Sequence, residues 1–298
     1  MYNLRNYVLA TRPWSFTMSL LSVGLGTAVA AAQGPVAWGW FLLTALGAVL
    51  VHAAGNVLND YFDSRNGIDQ ADSPTAIYRP HPIYAGLMTP RALLTEGLLL
   101  LGLAAGIGLS LAYHRSAHVL WRSLAGLVLT LAYTAKPLAL KYRALGEVAV
   151  FLVWGPLMVE GAHAVQRGSL SLNALAVSVP FGALVALVLL ANNLRDIDHD
   201  DRSGIRTLGT TLGRENGLHL FSGLMLSAYA YTLGAVLTGG LSPWVLAVFL
   251  SLPMAFELLA RFRSGMPAMA DAMTAKLDTV FGLLFLGGLF AGQLTPWE

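Results

Sequence analysis

The sequence contains no cysteine, and only 11% of its 298 residues are charged, against about 25% in an average soluble domain. Without cysteine the chain has no disulfide scaffold, no thiolate metal site, no thioether-bound haem and no cysteine nucleophile. The net charge of +2 is small and the basic residues are scattered, which argues against nucleic acid as a partner. The scarcity of charge also argues against a water-soluble monomer.

Long apolar segments are what the sequence has instead. Hydrophobic residues make up 56% of the chain and the mean hydropathy is +0.62. They fall in blocks of roughly 17 to 25 residues, long enough to cross a bilayer, and the blocks are continuously apolar, which excludes the alternation of a membrane β-barrel. We predict an all-α, multi-pass membrane protein with nine transmembrane helices in a single domain, 1–298. The nine segments are 16–32, 37–58, 92–113, 118–134, 146–165, 174–194, 217–238, 243–260 and 277–294.

The connections between these segments share their basic residues unevenly. The set of connections that includes the N-terminus holds 15 Lys and Arg, whereas the other set holds 3. Since cytoplasmic loops carry the excess of Lys and Arg, this asymmetry predicts a cytoplasmic N-terminus and a C-terminus on the opposite side of the cell (inner) membrane. The two long connections, 59–91 and 195–216, fall on the predicted cytoplasmic side, where we expect the functional groups to lie.

Two polar motifs close the second and the sixth predicted helix. Each motif places three oxygen-bearing side chains on one helix face, because they are three or four residues apart. These side chains are Asn56, Asp60 and Asp63 in the first motif and Asn192, Asp196 and Asp200 in the second. The Asn and the following Asp recur 136 residues later. This repeat predicts two four-helix pseudo-repeats with a ninth helix added.

The two motifs together predict a magnesium and diphosphate site. Carboxylates brought together by the repeat would repel one another without a cation, and oxygen ligands suit Mg²⁺, which completes its shell with water and phosphate oxygens. Basic residues in the same loops would donate to the remaining phosphate oxygens. These residues are Arg65, Arg79, Lys136, Lys141, Arg195, Arg202 and Arg206. A solvated acidic surface would explain either motif alone, and the positive-inside rule would explain any one basic residue.

The motifs resemble those of the UbiA superfamily of intramembrane aromatic prenyltransferases, over nearly the whole chain. The resemblance rests on Asn59-Asp60-Tyr61-Phe62-Asp63 with Asp69, and on residues 193–200 with 204–208. The Asp-x5-Asp end of the first motif and the Asn-Asn-x-Arg-Asp-Ile string at 192–197 are most similar to the branch that prenylates 1,4-dihydroxy-2-naphthoate in menaquinone biosynthesis. The chain differs from that branch at Ile205, where a Lys is common.

The resemblance implies a reaction and a set of residues. A polyprenyl group would pass from a polyprenyl diphosphate to a small aromatic acceptor, with two Mg²⁺ ions bridging the diphosphate and with Asp60, Asp63, Asp196 and Asp200 as catalytic residues. The implied metal ligands are Asn56, Asp60, Asp63, Asn192, Asp196 and Asp200. The implied substrate-binding residues are Asn56, Asn59, Arg65, Asp69, Arg79, Tyr133, Lys136, Lys141, Tyr142, Asn192, Asn193, Arg195 and Arg206.

Three alternatives fit parts of the pattern. Another UbiA acceptor, such as 4-hydroxybenzoate or homogentisate, would use the same metal site. A secondary transporter would also show internal repeats and buried acids, but with its polar groups near mid-membrane rather than at helix ends. A cation channel or metal-sensing receptor would need no groups that bind phosphate.

Overall fold

The computed structural model describes residues 3–70 and 79–294, and over these ranges the chain is helical, without a β-strand. Its only β-type pairing there is an isolated bridge between Arg143 and Arg206. The α-helices of the described ranges are α1 Leu4–Ala10, α2 Phe16–Ala31, α3 Trp38–Arg65, α4 Pro90–His114, α5 Ala117–Thr134, α6 Gly146–Leu152, α7 Met158–Arg167, α8 Leu172–Arg195, α9 Ile197–Arg202, α10 Leu208–Leu237, α11 Leu252–Ser264 and α12 Ala270–Leu294.

Eight helical stretches in the described part of the chain are long and apolar enough to cross a membrane. They are Leu4–Ala31, Trp38–Arg65, Pro90–His114, Gly146–Arg167, Leu172–Arg195, Leu208–Leu237, Pro243–Ser264 and Ala270–Leu294. The predicted segment 118–134 forms α5, which has 18 residues but includes His118 and Arg122 and is not among the eight. The all-α, multi-pass architecture is confirmed; the predicted number of nine transmembrane helices is close to this count without being confirmed.

Several helices extend beyond the apolar segments that predicted them. α3 ends at Arg65 rather than at residue 58, and α10 begins at Leu208 rather than at residue 217. The reason is that a polar helical turn at the membrane edge adds no apolar signal. The extension of α3 places Asn59, Asp60 and Asp63 on the last two turns of a continuous helix.

A π-helical turn, Val153–Leu157, separates α6 from α7. It contains Pro156 and a non-helical Gly155. Backbone groups released by such a turn need new partners inside a membrane. The hydroxyl of Ser22 on α2 supplies one, donating to the carbonyl of Trp154 at 2.6 Å. The turn thereby places the side chain of Trp154 beside a central cavity.

Two glycines allow helices to approach closely. A Cβ atom added at Gly26 of α2 would lie 2.0 Å from the carbonyl oxygen of Val159 on α7. One added at Gly209 of α10 would lie 2.3 Å from the carbonyl oxygen of Asn193 on α8. Neither position has space for a larger side chain, as in other close helix contacts in membranes. The second contact holds the start of α10 against the end of α8, next to the second motif.

The main hydrophobic core lies around α8, which packs against α2, α6, α10 and α12. Phe181 of α8 and Phe281 and Phe285 of α12 are fully buried in it. On the outside, α4 exposes Leu98, Leu99 and Leu103. Apolar side chains that face outward from a helix of this length are suited to contact with lipid. The polar ends of α3 and α8 carry the two motifs.

Candidate functional site

A cavity of about 610 Å³ lies between α3, α5, α6, α8 and α12. Its polar end includes carboxylates from both motifs, Asp63 and Asp69 from the first and Asp196 and Asp200 from the second. Its deeper wall is mainly apolar and includes Val51, Leu129, Val153, Met158, Val185, Val188 and Leu189. The structure therefore brings the two motifs to one cavity that joins an acidic end to an apolar interior.

Asp63 lies on the wall of this cavity and is held by three side chains. Lys141 donates to Asp63 Oδ2 at 2.6 Å, and Asn59, one turn earlier on α3, donates to the same oxygen at 3.0 Å. The phenol of Tyr142 donates to Asp63 Oδ1. Lys141 and Tyr142 reach Asp63 because they share a 3₁₀ turn, Leu140–Tyr142, between α5 and α6. The carboxylate is thus oriented toward the cavity with a compensating positive charge beside it.

Asp60 has a different environment, although it is only three residues from Asp63. Its side chain is fully buried and does not line the cavity. Arg79 donates from Nη1 to Oδ2 at 3.0 Å and from Nη2 to Oδ1 at 2.7 Å, and Arg12 also donates to Oδ1. Both arginines do line the cavity. The carboxylate of Asp60 therefore lies behind two guanidinium groups.

The loops of the two motifs contact each other beside Asp69. His81 Nε2 lies 3.3 Å from Asp69 Oδ2, and His199 on α9 bonds to the carbonyl oxygen of Ile68 at 3.1 Å. Asp60, Asp69 and His81 each offer one ligand atom within 4.8 Å of the others. The Nδ1 atom of His81 accepts the backbone N–H of Ile83, which puts the proton on Nε2 and makes His81 a donor toward Asp69.

The second motif does not lie on one helix as its spacing predicted. α8 ends at Arg195, and Asp196 forms the turn that begins α9. Asp196 and Asp200 nevertheless keep the helical spacing of four residues, because the N–H of Asp200 donates to the carbonyl of Asp196 at 2.9 Å. Arg195 binds the Asp196 carboxylate with two hydrogen bonds, at 2.6 and 2.7 Å, and also contacts Asp271 of α12 at 2.9 Å.

The charges at the cavity mouth perturb one another. Burial raises the pKa of Asp200 to about 6. The positive charge of Lys141 opposes this shift, and the negative charge of Asp196 adds to it. Burial alone would lower the pKa of Lys141, but the acidic groups around it, with Asp63 foremost among them, together outweigh burial and hold that pKa well above its usual value. The lysine therefore stays charged, and a further cation near Asp200 would favour its ionised form.

The other predicted site residues divide into two groups. Those on the cavity wall, besides Asp63, Asp69, Asp196 and Asp200, are Asn56, Asn59, Arg79, Tyr133, Lys141, Asn192 and Asn193. Asp60, Arg65, Lys136, Tyr142, Arg195 and Arg206 are not on it. Arg65 is exposed and donates to the phenol of Tyr61 at 3.0 Å, and Lys136 and Arg206 are also exposed. Ile205 lines the cavity where a Lys is common in the branch that the sequence resembles, and neither Arg202 nor Arg206 replaces that Lys on the wall.

Three further residues belong to the site although the sequence pattern did not select them. His81 lies 12 residues after Asp69, Asp271 lies 76 residues after Arg195, and Arg12 lies 48 residues before Asp60. A lone His in a loop and a lone Asp at the start of α12 carry no spacing signal. Their role becomes visible only when the fold brings them to Asp69 and Arg195.

The model of the UbiA prenyltransferase family matches residues 19–291. The chain belongs to this family. Its all-helical fold is therefore that of a UbiA-family prenyltransferase.

Relatives agree with this assignment over nearly the full length. UbiA prenyltransferase domain-containing protein 1 of Danio rerio is 35% identical over 95% of this chain and 83% of its own. A 1,4-dihydroxy-2-naphthoate octaprenyltransferase of Bacillus subtilis is 30% identical over 94% and 90%. A UbiA homologue of Archaeoglobus fulgidus solved with GPP and Mg²⁺ has a TM-score of 0.70 at 15% identity and covers 96% of this chain and 98% of its own.

Proposed function

We propose that this UbiA-family protein transfers a polyprenyl group from a polyprenyl diphosphate to 1,4-dihydroxy-2-naphthoate. The observation that carries the proposal is the single cavity in which carboxylates of both motifs, Lys141 and Arg79 meet an apolar interior. The charged end suits a diphosphate with its counter-cations, and the apolar walls suit a prenyl chain. A transporter would be expected to hold its polar groups near mid-membrane, whereas these lie at the ends of α3 and α8.

The carboxylates that line the cavity fit Mg²⁺ by their donor chemistry, since all of them are oxygen ligands. Asp63 and Asp69 would hold an ion on the side of the first motif, and Asp196 and Asp200 on the side of the second. This set differs from the one that the spacing predicted, because Asp69 lines the cavity and Asp60 does not. Bound Mg²⁺ supplies neutralisation of the negative charge that develops on the departing diphosphate. The homologue solved with GPP and Mg²⁺ supports this proposal.

The chain's own residues would direct the remaining chemistry. Arg79, Arg12 and Lys141 would bind diphosphate oxygens, and the apolar wall would exclude water from the allylic cation. Aromatic faces on the cavity wall, those of Tyr133 and Trp154, could stabilise that cation. The bond between the prenyl carbon and the diphosphate oxygen would break first, and its electron pair would leave with the diphosphate. The ring carbon that carries the carboxylate would then bond to the allylic carbon, and the carboxylate would leave as carbon dioxide, with the electron pair of its bond to the ring remaining in the ring.

The choice of acceptor is supported by the relative in Bacillus subtilis, whose name specifies 1,4-dihydroxy-2-naphthoate. The animal relatives are similarly close, but their names specify no acceptor. We further propose that the cavity opens toward the cytoplasmic side of the cell membrane. The excess of basic residues in the connections that carry both motifs supports this orientation.

An acceptor comparison tests the proposal. Purified protein in lipid nanodiscs is incubated with labelled geranylgeranyl diphosphate, Mg²⁺ and one acceptor, and the prenylated product and carbon dioxide are measured. We expect turnover of 1,4-dihydroxy-2-naphthoate with one carbon dioxide per product, loss of turnover with EDTA, and turnover of 4-hydroxybenzoate lower by on the order of 100-fold.

The possible outcomes separate the two parts of the proposal. Comparable turnover of 4-hydroxybenzoate, or activity only with homogentisate, would leave prenyl transfer standing and refute the naphthoate assignment. The absence of product with every acceptor, in a protein that carries a labelled substrate into sealed vesicles, would instead favour a transporter.

A further inference from the structure

α3 carries two Asn and Asp pairs of the same spacing, and the two pairs make different contacts. Asn59 and Asp63 both bond to Lys141, at 3.3 and 2.6 Å, and both line the cavity. Asn56 and Asp60 instead contact the segment that precedes α2. Asn56 Nδ2 donates to the carbonyl of Thr11 at 2.9 Å, and Asp60 binds the guanidinium of Arg12.

The backbone of Arg12 has an unusual conformation that this second pair fixes. Its φ of 55° and ψ of 60° lie in the left-handed region, which is costly for a residue with a side chain. The Ser15 hydroxyl donates to the Arg12 carbonyl at 2.8 Å, and Asn56 donates to the same hydroxyl at 3.2 Å. The conformation of Arg12 is therefore held from the side of α3 as well as by its own turn.

His52, one turn before Asn56 on α3, completes this network. Because the Ser15 hydroxyl donates to Arg12, it must accept from His52 Nε2, 3.1 Å away. His52 Nδ1 then accepts from the hydroxyl of Ser19 at 2.8 Å, and that hydroxyl accepts from Trp154 Nε1 at 3.1 Å. Through Nε2 and Ser15, His52 thus supports the carbonyl of Arg12, while its Nδ1 is held by Ser19.

The charged groups around Asp60 and those around Asp63 differ in the sign of their net charge. Asp60 faces Arg12 and Arg79, so one negative charge meets two positive ones and the group carries a net charge of +1. Asp63, Asp69, Asp196, Asp200 and Asp271 face Lys141 and Arg195, so five negative charges meet two positive ones and the net charge is −3. A divalent cation is attracted to the second group, whereas at Asp60 it would approach two guanidinium groups.

We propose that Asp60 is a positioning residue for Arg12 and Arg79 rather than a metal ligand, with Asn56 supporting the backbone of Arg12. The inference rests on the proposed prenyl-diphosphate chemistry. Asp60 lies close to Asp69, but both of its carboxylate oxygens already accept hydrogen bonds from arginines, so binding an ion would require it to release them. Held by one buried carboxylate, the two guanidinium groups are preorganised to bind diphosphate oxygens from the cavity wall.

The test compares Asp60→Asn with Asp63→Asn, and uses Asp198→Asn as a control because the side chain of Asp198 is 88% exposed. KM for geranylgeranyl diphosphate and the Mg²⁺ concentration for half-maximal rate are measured for each. Calorimetric titration of Mg²⁺, with a non-reactive thiolodiphosphate analogue bound, gives a readout independent of activity. We expect Asp60→Asn to raise KM for the diphosphate about tenfold, as loss of charge-assisted hydrogen bonds does, with Mg²⁺ affinity within about twofold of the parent.

Asp63→Asn is expected to weaken Mg²⁺ binding itself. If Asp60→Asn does not fold, Arg79→Lys retains the charge but loses the two-point contact, and it should raise KM for the diphosphate without changing Mg²⁺ affinity. Loss of Mg²⁺ affinity in Asp60→Asn to the extent seen in Asp63→Asn would overturn the inference. Failure of the parent protein to turn over any prenyl diphosphate would instead refute the proposed function.

Discussion

Asp60 and Asp196 occupy equivalent positions in the two halves of the chain, 136 residues apart, yet they obtain their arginine partners differently. Asp196 is bound by Arg195, the adjacent residue, whereas Asp60 is bound by Arg12 and Arg79, which lie 48 and 19 residues away. Asp196 remains on the cavity wall and Asp60 does not. Two copies of a motif therefore share their spacing without sharing their role.

The difference follows from where each helix ends. α3 continues through the first motif to Arg65, so Asp60 stays on a regular helix face that contacts the segment before α2. α8 ends at Arg195, and the turn at Asp196 directs the second motif back across the cavity mouth. Asp60, on a continuous helix, contacts the segment that packs on its helix face. Asp196, in a turn at the cavity mouth, can instead point into the cavity.

The largest effect is expected from the carboxylates that line the cavity. Asp63→Asn and Asp196→Asn should each lower the rate of prenyl transfer by on the order of 100-fold or more, because each removes a negative charge from the group proposed to hold Mg²⁺. The asparagine variants keep the volume and part of the hydrogen bonding of the side chains. Thermal unfolding in detergent checks that both variants remain folded.

A folded Asp196→Asn protein with full activity would contradict the two-motif site. If Asp63→Asn alone were inactive, one motif would suffice for the chemistry, and the similarity of the two halves would be structural only. Equal losses in the two variants would instead support a site that is shared evenly between them.

The sequence was sufficient to predict the helical membrane fold and the acidic motifs, because both depend on local patterns. The hydrogen bond of 3.0 Å between Asn59 and Asp63 follows from the same helix periodicity, because the two residues are four apart. The arginine partners of Asp60 could not be predicted in the same way. Their positions depend on the left-handed turn at Arg12 and on the loop before α4, neither of which has a periodic signal.

A smaller effect is expected at Asp271, which braces the second motif. Asp271 accepts from Arg195 at 2.9 Å, and Arg195 in turn binds Asp196. Asp271→Asn should therefore loosen Arg195 and raise KM for the prenyl diphosphate by about three- to tenfold, the range for one charge-assisted hydrogen bond that is partly exposed. A steady-state comparison with Asp60→Asn would show whether arginine positioning matters equally in both halves.

Glu257→Gln is the matched control for Asp271→Asn. It also removes a carboxylate partner of an arginine, Arg261, but both side chains of that pair are more than half exposed and lie on α11. Exposed ion pairs contribute little, so its KM should equal that of the parent. An equal change in the two variants would mean that Asp271 acts through general electrostatics and not through Arg195.

The smallest effect is expected at Asp198, which lies between Asp196 and Asp200 in sequence. Its side chain is 88% exposed and its contact with Arg214, at 4.0 Å, is an open surface pair. The reason is geometric, because a residue two positions from Asp196 on a helical turn points to the opposite side of α9. Asp198→Ala should therefore retain activity within about twofold of the parent. The rate of prenyl transfer is measured at saturating and at limiting Mg²⁺. A loss of activity at limiting Mg²⁺ alone would show that Asp198 attracts cations to the cavity mouth. The acidic character of the second motif would then extend beyond the cavity wall.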